Sequence, residues 1–319
     1  MSEFDLIRTY FAGLGARRTD VVLGVGDDCA LLDLGADQWL AVSLDTLVAG
    51  VHFLADCDPE ALGHKALAVG LSDLAAMGAR PAWATLALTL PGADPAWVAA
   101  FAHGLGRLAK AHGVALVGGD TTRGPLAITV QVHGLVAPGQ AIRRAGARPG
   151  DQVWVSGHLG DAGLALRRIQ AGAPVSEPLR RRLERPDPRV AIGLRLRGLA
   201  HAMIDVSDGL AADLGHILEA SGVGASVELA ALPLSPDVAE ALANGAGWDL
   251  PLAAGDDYEL CFTAPAAHSG RIEAVALEAR CPLTRIGCVT SEPGLRASQP
   301  DGALWPIARS GYDHFRDEA

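Results

Sequence analysis

The chain has no CxxC pair, no GxxxxGK[ST] phosphate loop and no run near the ~20 apolar residues of a membrane helix. Its five cysteines, Cys29, Cys57, Cys261, Cys281 and Cys288, are odd in number and lack metal-site spacing, so they predict free thiols in a reducing compartment rather than a disulfide framework. Basic residues are outnumbered 26 to 37, a net charge of −11, which argues against nucleic acid or an anionic membrane surface as the main partner. Aromatics are scarce at 5%. The first residues carry neither a basic segment nor a long apolar stretch, and the expectation is a cytoplasmic protein.

What remains is a chain of 319 residues rich in alanine, glycine and leucine, longer than a single core usually grows. Small side chains permit close helix–sheet packing. Strand and helix patterns alternate, which predicts an α/β fold. Residues 39–48 read as a buried strand running into a loop, 61–78 as a helix stopped by Gly78, and 83–90 as a strand. Asp94 and Pro95 form an N-cap and first helical position, opening a helix that runs to about Gly113. Residues 114–118 and 126–136 read as strands. A polar, Arg- and Gly-rich stretch at 138–151 is the boundary candidate, predicting lobes over 1–138 and 139–319. The second lobe repeats the alternation, with strands before Gly157, from Ala202, from Tyr258 and from Leu283.

The informative residues are acids set beside glycine or at the ends of apolar elements: Asp27 and Asp28, Asp45, Asp73, Asp120, and Asp205 with Asp208. Any one of them reads as a helix cap or turn residue. Their recurrence at five junctions predicts convergence. Like charges 4 Å apart repel by about 4 kcal/mol at an effective dielectric of 20. A converged set therefore calls for divalent cations, and hard carboxylate oxygens suit Mg²⁺ completed by phosphate oxygens. That reading resolves how an acidic protein could handle a polyphosphate.

Together these motifs resemble the thiamine-monophosphate kinase family along nearly the whole chain. The resemblance rests on Ser2-Glu3-Phe4, Gly26-Asp27-Asp28-Cys29-Ala30, residues 45–53 (DTLVAGVHF), Lys65-Ala66-Leu67-Ala68-Val69, residues 71–79 (LSDLAAMGA), Gly118-Gly119-Asp120-Thr121-Thr122, Asp205-Val206-Ser207-Asp208-Gly209, Asp257-Tyr258-Glu259-Leu260 and residues 311–315 (GYDHF). It implies the fold of aminoimidazole ribonucleotide synthetase, two-lobed α/β (α+β), whose N-terminal sheet pairs across a homodimer. It also implies direct transfer of phosphate from ATP to thiamine monophosphate, giving thiamine diphosphate. On this pattern Asp28, Asp45, Asp73, Asp120, Asp205 and Asp208 hold several Mg²⁺ ions, with Ser43 and the backbone at Leu44 contributing. Gly119, Asp120, Arg144 and Ser207 meet ATP. His52, Asp256 and Tyr312 line the thiamine phosphate pocket. The family carries Glu where this chain has Asp256, one methylene shorter, which puts the reach of that contact in question.

The residues fit such chemistry. A phosphate monoester is largely dianionic at neutral pH, so it needs no general base, and no Ser-His or His-Asp pair stands out. Two other readings stay open at this level: an enzyme of the same fold with a different acceptor, and a nucleotide-binding scaffold without turnover. Taken singly, His52 reads as a structural histidine, Lys65 as a helix residue packing its stem, Arg144 as a solvated loop cation and Asp27 as a partner to a ligand rather than a ligand.

Overall fold

The computed structural model describes residues 21–23, 27–34, 37–92, 94–307 and 311. Tyr312 and the motif residues 2–4, 24–26 and 312–315 lie outside them. The first sheet contains β1 (Val21–Leu23), β2 (Ala30–Asp33), β3 (Trp39–Val48), β4 (Arg80–Leu90), β5 (Ala115–Arg123) and β6 (Ala127–Val136), in the order β1-β2-β3-β6-β4-β5. Only the β4–β5 pair is parallel, because a helix, α2 (Pro95–Ala111), carries the chain back between them.

Asp94 caps α2 as expected, accepting from Ala96 N at 2.9 Å. The preceding helix, α1 (Pro59–Ala76), starts two residues before the predicted point because Asp58 takes the N-cap, accepting from Glu60 N and Ala61 N. Helix α1 is buried along nearly its whole length rather than on one stripe. A helix that is apolar on every side needs neighbours on every side. It packs against α2, β3 and β6 of the first sheet, and against β8 (Ala202–Val206) of the second.

The second sheet runs β13-β12-β9-β11-β7-β10-β8. Its further strands are β7 (Gln152–Ser156), β9 (Gly224–Glu228), β10 (Glu259–Ala264), β11 (Leu283–Thr290), β12 (Gly294–Ser298) and β13 (Leu304–Trp305). Around it lie α3 (Asp161–Gln170), α4 (Glu177–Glu184), α5 (Val190–Leu196), α6 (Leu210–Ser221), α7 (Pro236–Ala243), α8 (Asp249–Ala253) and α9 (Ser269–Ala279). Strands β7, β8 and β10 are almost wholly buried, as continuous apolar runs require. The polar stretch 138–151 joins the two sheets without helix or strand.

Two expectations need correction. β3 is not buried throughout: the face opposite α1 is open, and Leu44 on it is 60% exposed. β5 does not end at Gly118 but continues through Asp120 to Arg123, exposed along its length. Asp45 thus sits inside its strand rather than at the strand's end, and Asp120 inside a strand rather than after one, both held by ladder hydrogen bonds.

Candidate active site

The site forms where α1 meets both sheets. Asp28 lies in the bend before β2, Asp73 near the C-terminal end of α1, and Asp205 in β8 next to its last residue. One carboxylate oxygen from each lies within 4.8 Å of the other two. Residues 45 and 177 positions apart in the chain are thereby made neighbours. On β3, Ser43 and Asp45 share one face by strand alternation. Ser43 Oγ donates to Asp73 Oδ2, and the Asp45 carboxyl is in hydrogen-bonding contact with Asp73. The side chain of Leu44 points the other way, so only its backbone is near the cluster.

Burial and mutual repulsion dominate the electrostatics. Burial, then the charge of Asp28, pushes Asp205 up to about 8. Burial raises Asp45 to about 6 against the contact with Asp73, with Asp28 adding to the rise. Asp73 is pushed well above the carboxylate range by burial and then by Asp45, Asp205 and Asp28. Asp27 is raised to about 6 by burial and by Asp28.

Arg144 is the cation that answers this charge. It comes from the 138–151 stretch and donates from Nη2 to Asp28 Oδ1 at 2.5 Å, while its backbone N–H reaches Asp27 Oδ2 at 3.2 Å. Burial disfavours its charge, but Asp28 and Asp27 outweigh that and hold it protonated. Asp27 therefore positions Arg144 and the backbone of Asp28.

The donor set suits a hard divalent cation. Asp28 Oδ2 and Asp45 Oδ2 are buried without a hydrogen-bond partner, a costly arrangement for a carboxylate facing only protein. All donors in the triad are carboxylate oxygens, the ligands Mg²⁺ prefers over the imidazole and thiolate that select softer metals.

The other predicted residues distribute around this cluster. Asp120 is not brought to it. Ladder register aligns Asp120 with Ala87, Thr129 and Thr46, one residue out of phase with the row of Gly119, Leu86, Val130 and Asp45. Three strand spacings of ~4.8 Å separate β5 from β3, so Asp120 stands roughly 14 Å across the sheet. Gly119 has φ of 148°, and a Cβ there would stand 1.9 Å from Leu86 O, so the strand pair closes only around glycine. Ser207 and Asp208 follow Asp205 in the turn before α6. His52 accepts from Val48 N at Nδ1, 3.0 Å, which leaves the ring proton on Nε2 of the neutral imidazole.

Asp256 adopts φ of 62° in a loop where Gly255 and Tyr258 are also left-handed. Its carboxylate bonds Lys65 Nζ at 2.8 Å. Lys65 is buried on α1, so this ion pair ties the first sheet's helix to the second sheet's loop. The reading of Lys65 as a packed stem holds for its methylenes and misses its head group. Just beyond, Glu259 is fully buried. Burial opposes its charge, but Arg189 and Arg182 outweigh that and hold it below the usual carboxylate range. That network anchors the start of β10, directly after the loop that carries Asp256 and Tyr258.

Sequence reasoning also passed over Asp213. It lies three residues into α6 from Leu210, and the available signal was an acid one turn into a helix that follows a Ser-Asp-Gly turn.

Comparison with known proteins identifies the fold. The family model for AIR synthase related protein, N-terminal domain, matches residues 26–136, and that for the C-terminal domain matches residues 148–298. The thiamine-monophosphate kinase of Escherichia coli strain K12 is 48% identical over 98% of either chain. The crystal structure of thiamine-monophosphate kinase from Stenotrophomonas maltophilia K279a superposes with a TM-score of 0.81 at 50% identity, covering 96% of this chain and 98% of that one. AaThiL complexed with AMPPCP and TMP superposes with a TM-score of 0.86 at 31% identity, covering 98% and 97%. The likeness spans both sheets, and the chain belongs to the thiamine-monophosphate kinase family.

Proposed function

We infer that this protein phosphorylates thiamine monophosphate to thiamine diphosphate at the expense of ATP. The observation that carries the reading is the converged triad of buried Asp28 and Asp205 with half-buried Asp73, with the unpartnered oxygens of Asp28 and Asp45 beside it, in a chain this similar to thiamine-monophosphate kinases. The transfer is direct: a phosphate oxygen of the acceptor attacks the γ-phosphorus, and the bond to ADP breaks in line.

Asp28, Asp45, Asp73, Asp205 and Asp208, with Ser43 and the Leu44 backbone, would hold Mg²⁺ ions around the cluster, and Asp120, which stands apart from it on β5, is assigned to metal on its motif alone. When bound, the ions supply charge neutralisation and orientation for the anionic phosphates. The protein's own groups do the rest. Arg144 balances Asp28 and, with Gly119, Asp120 and Ser207, is assigned to ATP. His52, held through Nδ1 by Val48 N, is assigned to the thiamine phosphate pocket. Lys65 neutralises Asp256 and would set its position in the acceptor pocket. Tyr312 is assigned to the thiamine rings on its motif alone. The first lobe, 1–138, would carry the metal ligands, and the second, 139–319, would complete both sites.

A homodimer and a cytoplasmic location belong to the same proposal. The open face of the first sheet exposes Leu44 and Trp83, and β5, the edge strand among the described residues, exposes Leu116 and Val117, an apolar combination that monomers avoid. The protein is expected to sediment as a dimer and Val117→Lys as a monomer; a monomeric wild-type protein overturns this part. No described helix is long and apolar enough to cross a membrane, and the described cysteines are all free.

The decisive assay incubates the protein with ATP and Mg²⁺, with and without thiamine monophosphate, and separates the products. Equimolar ADP and thiamine diphosphate are expected. ADP without thiamine diphosphate would move the protein to a different acceptor, and no ADP at all would favour the scaffold reading.

A further inference from the structure

We propose that Asp213 is the positioning residue for the metal-facing turn Asp205–Gly209. The inference rests on the metal reading above and deepens it. The turn joins β8 to α6 and carries Asp205 and Asp208, two of the assigned ligands, with Ser207 between them.

Its carbonyl side is fixed by the neighbouring loop: Ser207 O accepts from Asp256 N and Val206 O from Tyr258 N, both at 2.8 Å. Its N–H side is fixed by Asp213. The backbone N–H groups of Ser207, Asp208 and Gly209 all donate to Asp213 Oδ2, each at 3.1 Å. Asp213 N in turn donates to Gly209 O at 3.0 Å, so residue 213 holds the turn from both its backbone and its side chain.

An ordinary capping box uses an acid in the first helical turn to satisfy the N-cap N–H. Here one oxygen gathers three consecutive donors, two of them before the cap, and so dictates the path of the turn itself. The turn has little freedom to adapt. Gly209 sits at φ of 118°, and a Cβ there would be 2.7 Å from Ala253 Cα. Asp213 is itself buried and is not one of the three acids whose oxygens converge. Its role is to aim Asp205 toward Asp28 and Asp73, and to fix the backbone that carries Asp208, without touching the cation.

The test measures Mn²⁺ binding to the full-length protein by electron paramagnetic resonance, in the absence of nucleotide, alongside thermal melting. Groups that orient metal ligands are worth about 10–100-fold in metal affinity. Asp213→Ala is expected to weaken Mn²⁺ binding by at least about 10-fold. Asp213→Asn keeps an acceptor oxygen in place and is expected to retain most of the wild-type affinity. A direct ligand would lose affinity in both variants, so equal loss in Asp213→Asn overturns the proposal. So does wild-type affinity in Asp213→Ala with only a lowered melting temperature, the mark of a helix cap. Should Asp213→Ala fail to fold, Asp213→Glu shifts the acceptor by one methylene and is expected to lose affinity likewise; unchanged binding there overturns the proposal. Failure of the wild-type protein to bind Mn²⁺ would instead remove the metal reading beneath it.

Discussion

Asp45→Asn lowers turnover by about 10³-fold, while the metal-free protein keeps its fold and melts at a higher temperature at pH 8. The two effects have one cause. Asp45 is held by the β3 ladder with Oδ2 buried and unpartnered, beside Asp73 and within the field of Asp28. Removing a single preorganised group that stabilises transferring charge typically costs about 10²–10³ in rate, or roughly 2.7–4 kcal/mol, and a metal ligand belongs at the upper end. The same carboxylate is a liability when no cation is bound. Two like charges 4 Å apart repel by about 4 kcal/mol at an effective dielectric of 20. Asparagine removes that repulsion and offers an N–H to Asp73 in its place. Steady-state kinetics with ATP and thiamine monophosphate, and melting in the presence of a chelator, read the two halves separately. Wild-type turnover would sink the ligand assignment. Loss of turnover with a lowered melting temperature would instead make Asp45 a structural acid.

The metal-free protein loses thermal stability as pH rises from about 5 to about 8, and Mg²⁺ restores more at pH 8 than at pH 5. Asp27 and Asp45 are pushed up to about 6 and Asp205 up to about 8, each from an ordinary value near 3.8. Between those limits the native state binds more protons than the unfolded chain, so stability falls with increasing pH. The loss begins above pH ~4, when the unfolded carboxylates have ionised, and levels off once pH passes the highest folded value. A change of 1 kcal/mol moves the melting temperature by roughly 2–4 °C in a chain somewhat smaller than this one, so a fall of at least about 5 °C is expected. Mg²⁺ competes with protons for the same oxygens, and its benefit grows as they ionise. Differential scanning calorimetry in chelator and in excess Mg²⁺ measures both slopes. A melting temperature that rises steadily from pH 5 to pH 8 in chelator would show that the acids are ionised and satisfied by protein partners instead.

Both predictions describe a site in which function opposes folding. Helix α1 and the two sheets bring together carboxylates that repel, and burial of the surrounding apolar surface offsets the cost. Arg144 and Lys65 lessen it locally, at Asp28 and at Asp256. Neither balances Asp73, the most crowded acid, which is the physical reason the cluster calls for a divalent cation.

The amino-acid sequence by itself determined the alternating elements, the Asp94 cap, the polar joint at 138–151 and the identity of the acids, because local periodicity, capping and turn chemistry are properties of neighbouring residues. Its long motifs also carried the family and the reaction class. Only the tertiary structure decided which acids meet. Asp28, Asp73 and Asp205 converge because α1 is packed on both sheets, whereas Asp120 stands apart because strand register sends it to another row. The same holds for the partners. Lys65 finds Asp256 across the two lobes, Glu259 is held by Arg182 and Arg189, and Asp213 Oδ2 collects three backbone donors. Each depends on distances set by packing between segments far apart in the chain, and spacing along a sequence does not encode distance across a fold.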